Sequence, residues 1–425
     1  MRVRRYPLHF TILLTLLALL MLIAAYASFS AEISLDDCRA LGLPVLTVET
    51  EGGKKIKSKE KYLKASFVLI DEAGGYASGG CKIRGRGNTT WRTRELYKKP
   101  FLLKLNEAAP LLGFPAADKW VLMANTADKT QLRNRYAERL AARVWDKSPW
   151  TPQSRCLSLF VNGRYEGLYA LTEKIEAVQG RLPIAEEDGS FVFEVNSRLN
   201  KDYNFRSSRG VPFSVRTAGY ALLREDEFGP RQAIIQQAED ALFSGDGSWR
   251  ALLDEETFAD WYLINELTKN HDARFQSSCY LWYDAADRKI RMGPAWDFDI
   301  ACGNISWDGC EEPAGFWISG ASWFTELLKD EGFVTLVRRR WFEKRSALDK
   351  SLVWLTEEAG SLRPAVMLND AVWKNIGHRQ WPHAPGWKAR KTYESELQYM
   401  TDWLTKRIAW LDGAFGTGMN MAQEQ

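Results

Sequence analysis

Asp272, Asp297 and Asp299 are the residues whose spacing points to chemistry. Asp272 stands in His271-Asp272-Ala273-Arg274, and the other two lie in Trp296-Asp297-Phe298-Asp299. Between them, Ser278–Tyr283 is aromatic and β-favouring, Asp284–Asp287 is turn-like, and Lys289–Met292 alternates charged and apolar residues. Gly293-Pro294 breaks the strand just before the second acidic station. A hairpin returns the chain to its starting end, so Asp272 can face Asp297 and Asp299 across one site. Carboxylates placed in this way suit divalent-cation and phosphate chemistry. Two of them in an aromatic setting need a counter-charge.

The elements that must position these groups can be read from patterning. Tyr62–Ile70 alternates as a strand, and Leu43–Val48 before it forms another. A Gly-rich segment, Lys82-Ile83-Arg84-Gly85-Arg86-Gly87, leads through Lys99-Pro100 into the strand Phe101–Leu105. Glycines with interleaved Arg and Lys can set backbone N–H groups and cations around phosphate, and can equally be a turn with solvated charges. Trp120–Met123 is a short strand. Asp128 to Gln131 has the spacing of a capping box, and Leu132, Tyr136, Leu140 and Val144 follow at helical spacing. Asn162-Gly163 between Cys156–Val161 and Tyr165–Thr172 is the clearest hairpin signal in the chain.

Phe191–Val195 reads as a strand, and Leu199–Phe228 as a polar, irregular loop carrying Arg206, Arg209 and Arg216. From Gly229 the composition turns helical. Ile234, Ile235, Ala238 and Leu242 share one face, and a helix capped by Asp254 delivers His271-Asp272. Val334 to Leu355 marks a long helix, and Leu397 to Leu411 the last one. A β-rich first half and a helical second half make an α+β fold with a cleft between unlike parts. Residues 31–330 form the expected core, with 331–425 as a C-terminal helical part packed on it.

Composition narrows the function. The 425 residues can bury a full core, and the net charge of +3 points to neither nucleic acid nor a membrane surface. Arg2, Arg4 and Arg5 precede an apolar run from Phe10 to Ala27 and small residues at Ser28 to Ala31. Residues 1–30 therefore read as an export signal, cut after Ala27 or Ser30, or as an uncleaved membrane anchor. Either directs the chain out of the cytoplasm, to the periplasm, the cell surface or beyond. In that compartment the six cysteines are free to form disulfides, and Cys302 and Cys310 are near enough in sequence to staple one loop. The 18 tryptophans mostly sit in helix-periodic or strand-like runs, where packing is the usual role; Trp307, Trp317, Trp381 and Trp387 fall in loops and leave a glycan-associated role open.

Taken in order, Lys82 to Gly85 with Lys99 to Phe101, the Trp120 to Asn134 block, Asn162-Gly163 to Glu173, Asn270-His271-Asp272, Pro294 to Asp299 and Trp403 to Leu411 resemble the CotH (spore coat protein H) kinase family. The resemblance covers most of residues 60–415. It implies an atypical, secreted protein-kinase-like fold that binds ATP with Mg2+ or Mn2+ and phosphorylates serine or threonine on an extracytoplasmic protein. Matched position by position, Asp272 is the catalytic-loop aspartate that receives the hydroxyl proton. Asp297 and Asp299 match the metal-holding acidic motif. In an extended segment these two point the same way. Order and chemistry then offer Arg84 and Lys104 as cations for the phosphates, and Glu173 as the partner of such a lysine. Kinase catalytic loops carry a metal-binding Asn about five residues past the Asp. Ser277 occupies that position here and Ser278 follows, so the alternative reading is a catalytically weak or inactive pseudokinase that serves as a cell-envelope or surface-assembly protein, or as a glycan-associated structural one.

Overall fold

A computed structural model of the chain describes residues 33–92, 98–185, 188–198, 203–217, 219, 223–418 and 421. The expected N-terminal signal or anchor lies outside the described residues. Among the described residues no helix is long and apolar enough to cross a membrane.

The chain is α+β. Its first half closes a seven-stranded barrel from β1 (Val45–Thr50), β2 (Leu63–Ile70), β3 (Tyr76–Gly85), β4 (Phe101–Ala109), β5 (Ala117–Met123), β6 (Ser154–Val161) and β7 (Arg164–Glu173). The spatial order is β1-β2-β3-β4-β5-β7-β6. Every neighbouring pair is antiparallel except the closing one, where Val45–Val48 runs parallel to Ser158–Val161. Alternate residues point inward, so Leu46, Val48, Phe67, Ile83, Leu103, Leu105, Trp120, Leu157 and Leu171 fill the barrel. The β6–β7 hairpin turns on Asn162 (φ 51°) and Gly163 (φ 73°), the positive-φ pair that a type I′ turn requires.

A second, antiparallel sheet has the order β12-β11-β8-β10-β9. It consists of β8 (Phe191–Val195), β9 (Asn204–Arg206), β10 (Pro212–Thr217), β11 (Cys279–Asp284) and β12 (Lys289–Met292). The segment expected to be an irregular loop therefore contains two strands. Its exposed arginines mask the short run Pro212–Thr217, in which Phe213 and Val215 are wholly buried. The helices are α1 (Leu35–Arg39), α2 (Thr89–Arg92), α3 (Arg133–Arg143), α4 (Glu225–Phe243), α5 (Glu255–Thr268), α6 (Ser322–Leu327), α7 (Glu331–Trp373) and α8 (Tyr393–Gly416). Helix α4 begins before Gly229 because Glu225, Asp226 and Glu227 favour the positive end of its dipole.

Helix α5 is the axis of the helical half. The Asp254 side chain caps it by accepting from Thr257 N–H, and every residue from Thr257 to Thr268 is buried. Helices α3, α7 and α8 and the second sheet share one apolar core with it. The 43-residue α7 runs through Pro364 to Trp373, well past the expected end, because Leu362, Ala365, Val366 and Asn369 are buried. Arg407 of α8, fully buried, donates to the Glu266 carboxylate at 2.7 Å and to the carbonyls of Pro313 and Gly315. Glu266 in turn accepts the backbone N–H groups of Trp317, Ile318 and Ser319. An ion pair satisfied on both sides in this way locks the 313–319 loop against α5.

All six cysteines are free and buried, so the expected disulfides, including Cys302–Cys310, are absent. Burial pushes the Cys302 and Cys310 thiols up to about 12.

Candidate active site

A cavity of about 500 Å3 opens between the barrel and the second sheet. Asp272, Asp297, Asp299, Ser277 and Ser278 line one side of it; Arg84, Arg86, Lys174 and Arg198 also line it.

The acidic stations reach the cavity by different routes. Helix α5 ends at Lys269 in the left-handed region (φ 43°), and the chain enters a single turn, His271–Ala273, that carries Asp272. The Lys269 ammonium donates to the carbonyls of Gly309, Glu312 and Ala314, which fixes the turn to the following loop. His271 stacks on Trp317 with ring centroids 5.4 Å apart. Its Nδ1 lies 3.3 Å from the Asp272 carboxylate and its Nε2 2.9 Å from that of Asp308. Burial opposes charge on this imidazole, but the two carboxylates outweigh it and raise its pKa.

Hairpin β11–β12 then brings the chain back to Asp297. The segment there is not extended as expected, because Asp297 has a φ of 68°. The bend is held from outside: Asn134 of α3 accepts Phe298 N–H at 2.7 Å, and Asn304 donates to the Asp299 carbonyl. Phe298 is buried, and Asp297 and Asp299 on either side of it both line the cavity. Asn134 is held within an irregular start to α3. Asp128 accepts from Thr130 and from the Arg133 backbone and guanidinium, but Gln131, at φ 62°, donates to the carbonyls of Asn125 and Asp128 rather than completing a capping box.

Two of the three carboxylates, Asp297 and Asp299, are disturbed by burial and by their neighbours. Burial, then the charge of Asp272, raises the pKa of Asp297, against the pull of Arg86, the Ser278 hydroxyl and Arg198. Asp299 is raised well above the usual range by burial, then by Asp297, Asp272 and Asp128. Among the described residues, no three His, Cys, Asp or Glu side chains converge closely enough to hold a metal ion unaided.

The basic residues are partly those expected. Arg84 lines the cavity, held by the carbonyls of Lys59 and Gly85 with its guanidinium 5.0 Å from the Tyr62 ring centroid. Lys104 and Glu173 do not line it. Lys104 shares the outward face of β4 with Leu102, which does, but sits one pleat further along and pairs with Asp118 at 3.7 Å. Glu173 is buried beside Arg181, 3.6 Å away, and accepts Gln153 N–H, so no Lys104–Glu173 pair forms. The next residue, Lys174, faces the cavity instead. It pairs with buried Glu176 at 3.2 Å, and burial brings its ammonium down to about 8. Glu176 also holds Lys119 and Arg181. Arg86, 5.7 Å from the Trp296 ring centroid, stands two residues beyond Arg84 on the same face. Strand alternation alone could have found Arg86; for Lys174 the only signal was its place next to Glu173.

A profile of the CotH kinase protein family matches residues 83–411, most of the chain. The protein belongs to the CotH kinase family, and is kinase-like on that footing. No curated protein matches the sequence.

Proposed function

We propose that this protein is an exported phosphotransferase that moves the γ-phosphoryl group of ATP to a hydroxyl, with a divalent cation. The observation that carries the reading is the pairing of three mutually repelling carboxylates with Arg84, Arg86, Lys174 and Arg198 around one cavity. Magnesium fits this donor set. It is usually bound through one or two carboxylates plus phosphate oxygens, which accords with the lack, among the described residues, of a cluster able to hold an ion unaided. Asp297 and Asp299 would hold it, and when bound it supplies neutralising charge at the phosphates.

Arg86, Lys174 and Arg198 bind and orient the polyphosphate. Asp272 receives the acceptor proton as the oxygen–phosphorus bond forms; the bond from phosphorus to the bridging oxygen breaks, and ADP leaves with that electron pair. Ser277 reaches the cavity at the place where kinases carry an amide. Its short hydroxyl favours a second reading, nucleotide binding without turnover. The serine or threonine of an exported protein, which the resemblance implies, is the first acceptor to test.

The deciding experiment is transfer of labelled γ-phosphate by purified protein with Mg2+ or Mn2+, alongside Asp272→Asn and Asp297→Asn. Label that depends on both aspartates supports a kinase. A nucleotide-dependent thermal shift with no transfer to any hydroxyl supports the binding-only reading. Neither shift nor transfer sinks both.

A further inference from the structure

Beside Asp272 the cavity ends in an aromatic wall that phosphate chemistry does not use. His271 meets the edge of Trp307 (centroids 6.0 Å, 78°), and Trp307 stacks on Trp381 (6.0 Å, 21°). Both tryptophans and Pro382 line the cavity. Among the described residues Trp381 is the one exposed tryptophan, at 48%. One face of its indole lies on Trp307, so its exposed area lies away from that contact. The Asp308 carboxylate beside Trp307, 58% exposed, accepts from His271 and retains capacity for further donors.

We infer that the Trp381 indole and the Asp308 carboxylate form an acceptor subsite for a pyranose ring, and that the hydroxyl phosphorylated at Asp272 belongs to a saccharide. The inference rests on the phosphotransfer reading and narrows its acceptor. A pyranose presents C–H groups on its face and hydroxyl donors at its rim. An indole face covers the first, and a carboxylate, which only accepts, receives the second. Two ring steps of 6.0 Å separate His271 from Trp381, which suits the sugar unit adjoining the one that reacts.

A peptide is the poorer fit. Extended peptides commonly dock by adding to a free strand edge. The barrel is closed, and β8 and β11, which send Glu194, Val195 and Tyr280 to the cavity, are both interior strands of their sheet. Among the described residues, no strand bordering the cavity offers an unpaired backbone ladder. In the proposed transfer, a sugar oxygen bonds to the γ-phosphorus, its proton passes to Asp272, and the bridging oxygen leaves with ADP.

The test uses the purified full chain with cellotetraose and chitotetraose, titrated without nucleotide and then supplied with labelled ATP and Mg2+. At least one tetrasaccharide is expected to bind and become labelled. Trp381→Ala weakens that binding about tenfold, Trp381→Phe weakens it less, and neither changes the thermal shift given by nucleotide and Mg2+. Failure of both sugars to bind, binding indifferent to Trp381→Ala, or Trp381-dependent labelling of a serine or threonine peptide instead would overturn the inference. If the wild-type nucleotide shift is absent while Trp381-dependent sugar binding persists, the phosphotransfer reading fails and the sugar subsite stands.

Discussion

Ser278 donates its hydroxyl to the Asp297 carboxylate at 3.3 Å, with both residues in the left-handed region, at φ 58° and 68°. The serine that follows the expected amide position is thus spent on aiming a neighbouring carboxylate. An aiming residue is worth less than the group it aims. Ser278→Ala is expected to lower kcat by about tenfold, and Asp297→Asn by about 100-fold or more. Steady-state transfer assays at saturating nucleotide check this. Equal losses would mean that Ser278 itself contacts metal or phosphate.

The raised carboxyl of Asp299 makes a statement about stability. A group whose pKa is higher folded than unfolded contributes fully below its unfolded value and loses that contribution as pH rises through the folded value. At neutral pH without metal, Asp299 therefore costs stability. Asp299→Asn should raise Tm by about 1–3 °C in EDTA, with the gain vanishing below the ordinary aspartate range. Added Mg2+ and nucleotide should reverse the order. Calorimetric scans that show Asp299→Asn less stable in EDTA would contradict the repulsion argument.

Lys174 and Lys104 are separated by position. Lys174 faces the cavity and Lys104 pairs with Asp118 outside it. Lys174→Ala should raise the KM for nucleotide by about tenfold or more, and Lys104→Ala should leave it unchanged. Because burial has already brought the Lys174 ammonium down to about 8, its contribution should fade as pH rises past that value. A nucleotide affinity profile from pH 6.5 to 9.5, wild type against Lys174→Ala, measures it.

Away from the cavity, Lys98 is wholly buried, with its ammonium donating to the Leu168 carbonyl at 2.5 Å and to the Asn369 side chain at 2.9 Å. Burial holds it down to about 7. Its folded pKa lies below its unfolded one, so the unfolded chain binds the extra proton between them and stability from this group rises with pH over that window. Lys98→Met should flatten the rise seen between pH 7 and 10 in urea unfolding. Gly167 packs on the same spot: a Cβ there would meet Asn369 Oδ1 at 2.6 Å and Lys98 Cδ at 3.0 Å. Gly167→Ala should cost about 2–4 kcal/mol in the same measurement.

Local signals carried a large part of the fold. The Asn162-Gly163 hairpin, the strand Phe191–Val195 and the Asp254 cap are each written in a few adjacent residues. Barrel closure is not, because Val45–Val48 and Ser158–Val161 pair in parallel across a hundred residues with no turn to announce it. The acidic half of the site was legible because a single hairpin joins Asp272 to Asp297. Its basic half comes from several strands and loops. Alternation tells which face Lys104 takes, but not that the cavity ends before reaching it.

That closure bears on how small the working unit can be. The family match starts at residue 83, near the end of β3, while β1, β2 and inward-facing Leu46, Val48, Phe67 and Leu69 all precede it. A fragment trimmed to the matched residues would lose β1, β2 and β3 as far as Lys82, bare the edges of β4 and β6, and expose the barrel's apolar filling to water and to other copies. It would also lose the Lys59 and Ser58 carbonyls that hold Arg84 and the Gly85 N–H. The lineage is recognisable from residue 83 onward, but a piece that keeps the barrel closed must begin ahead of Val45.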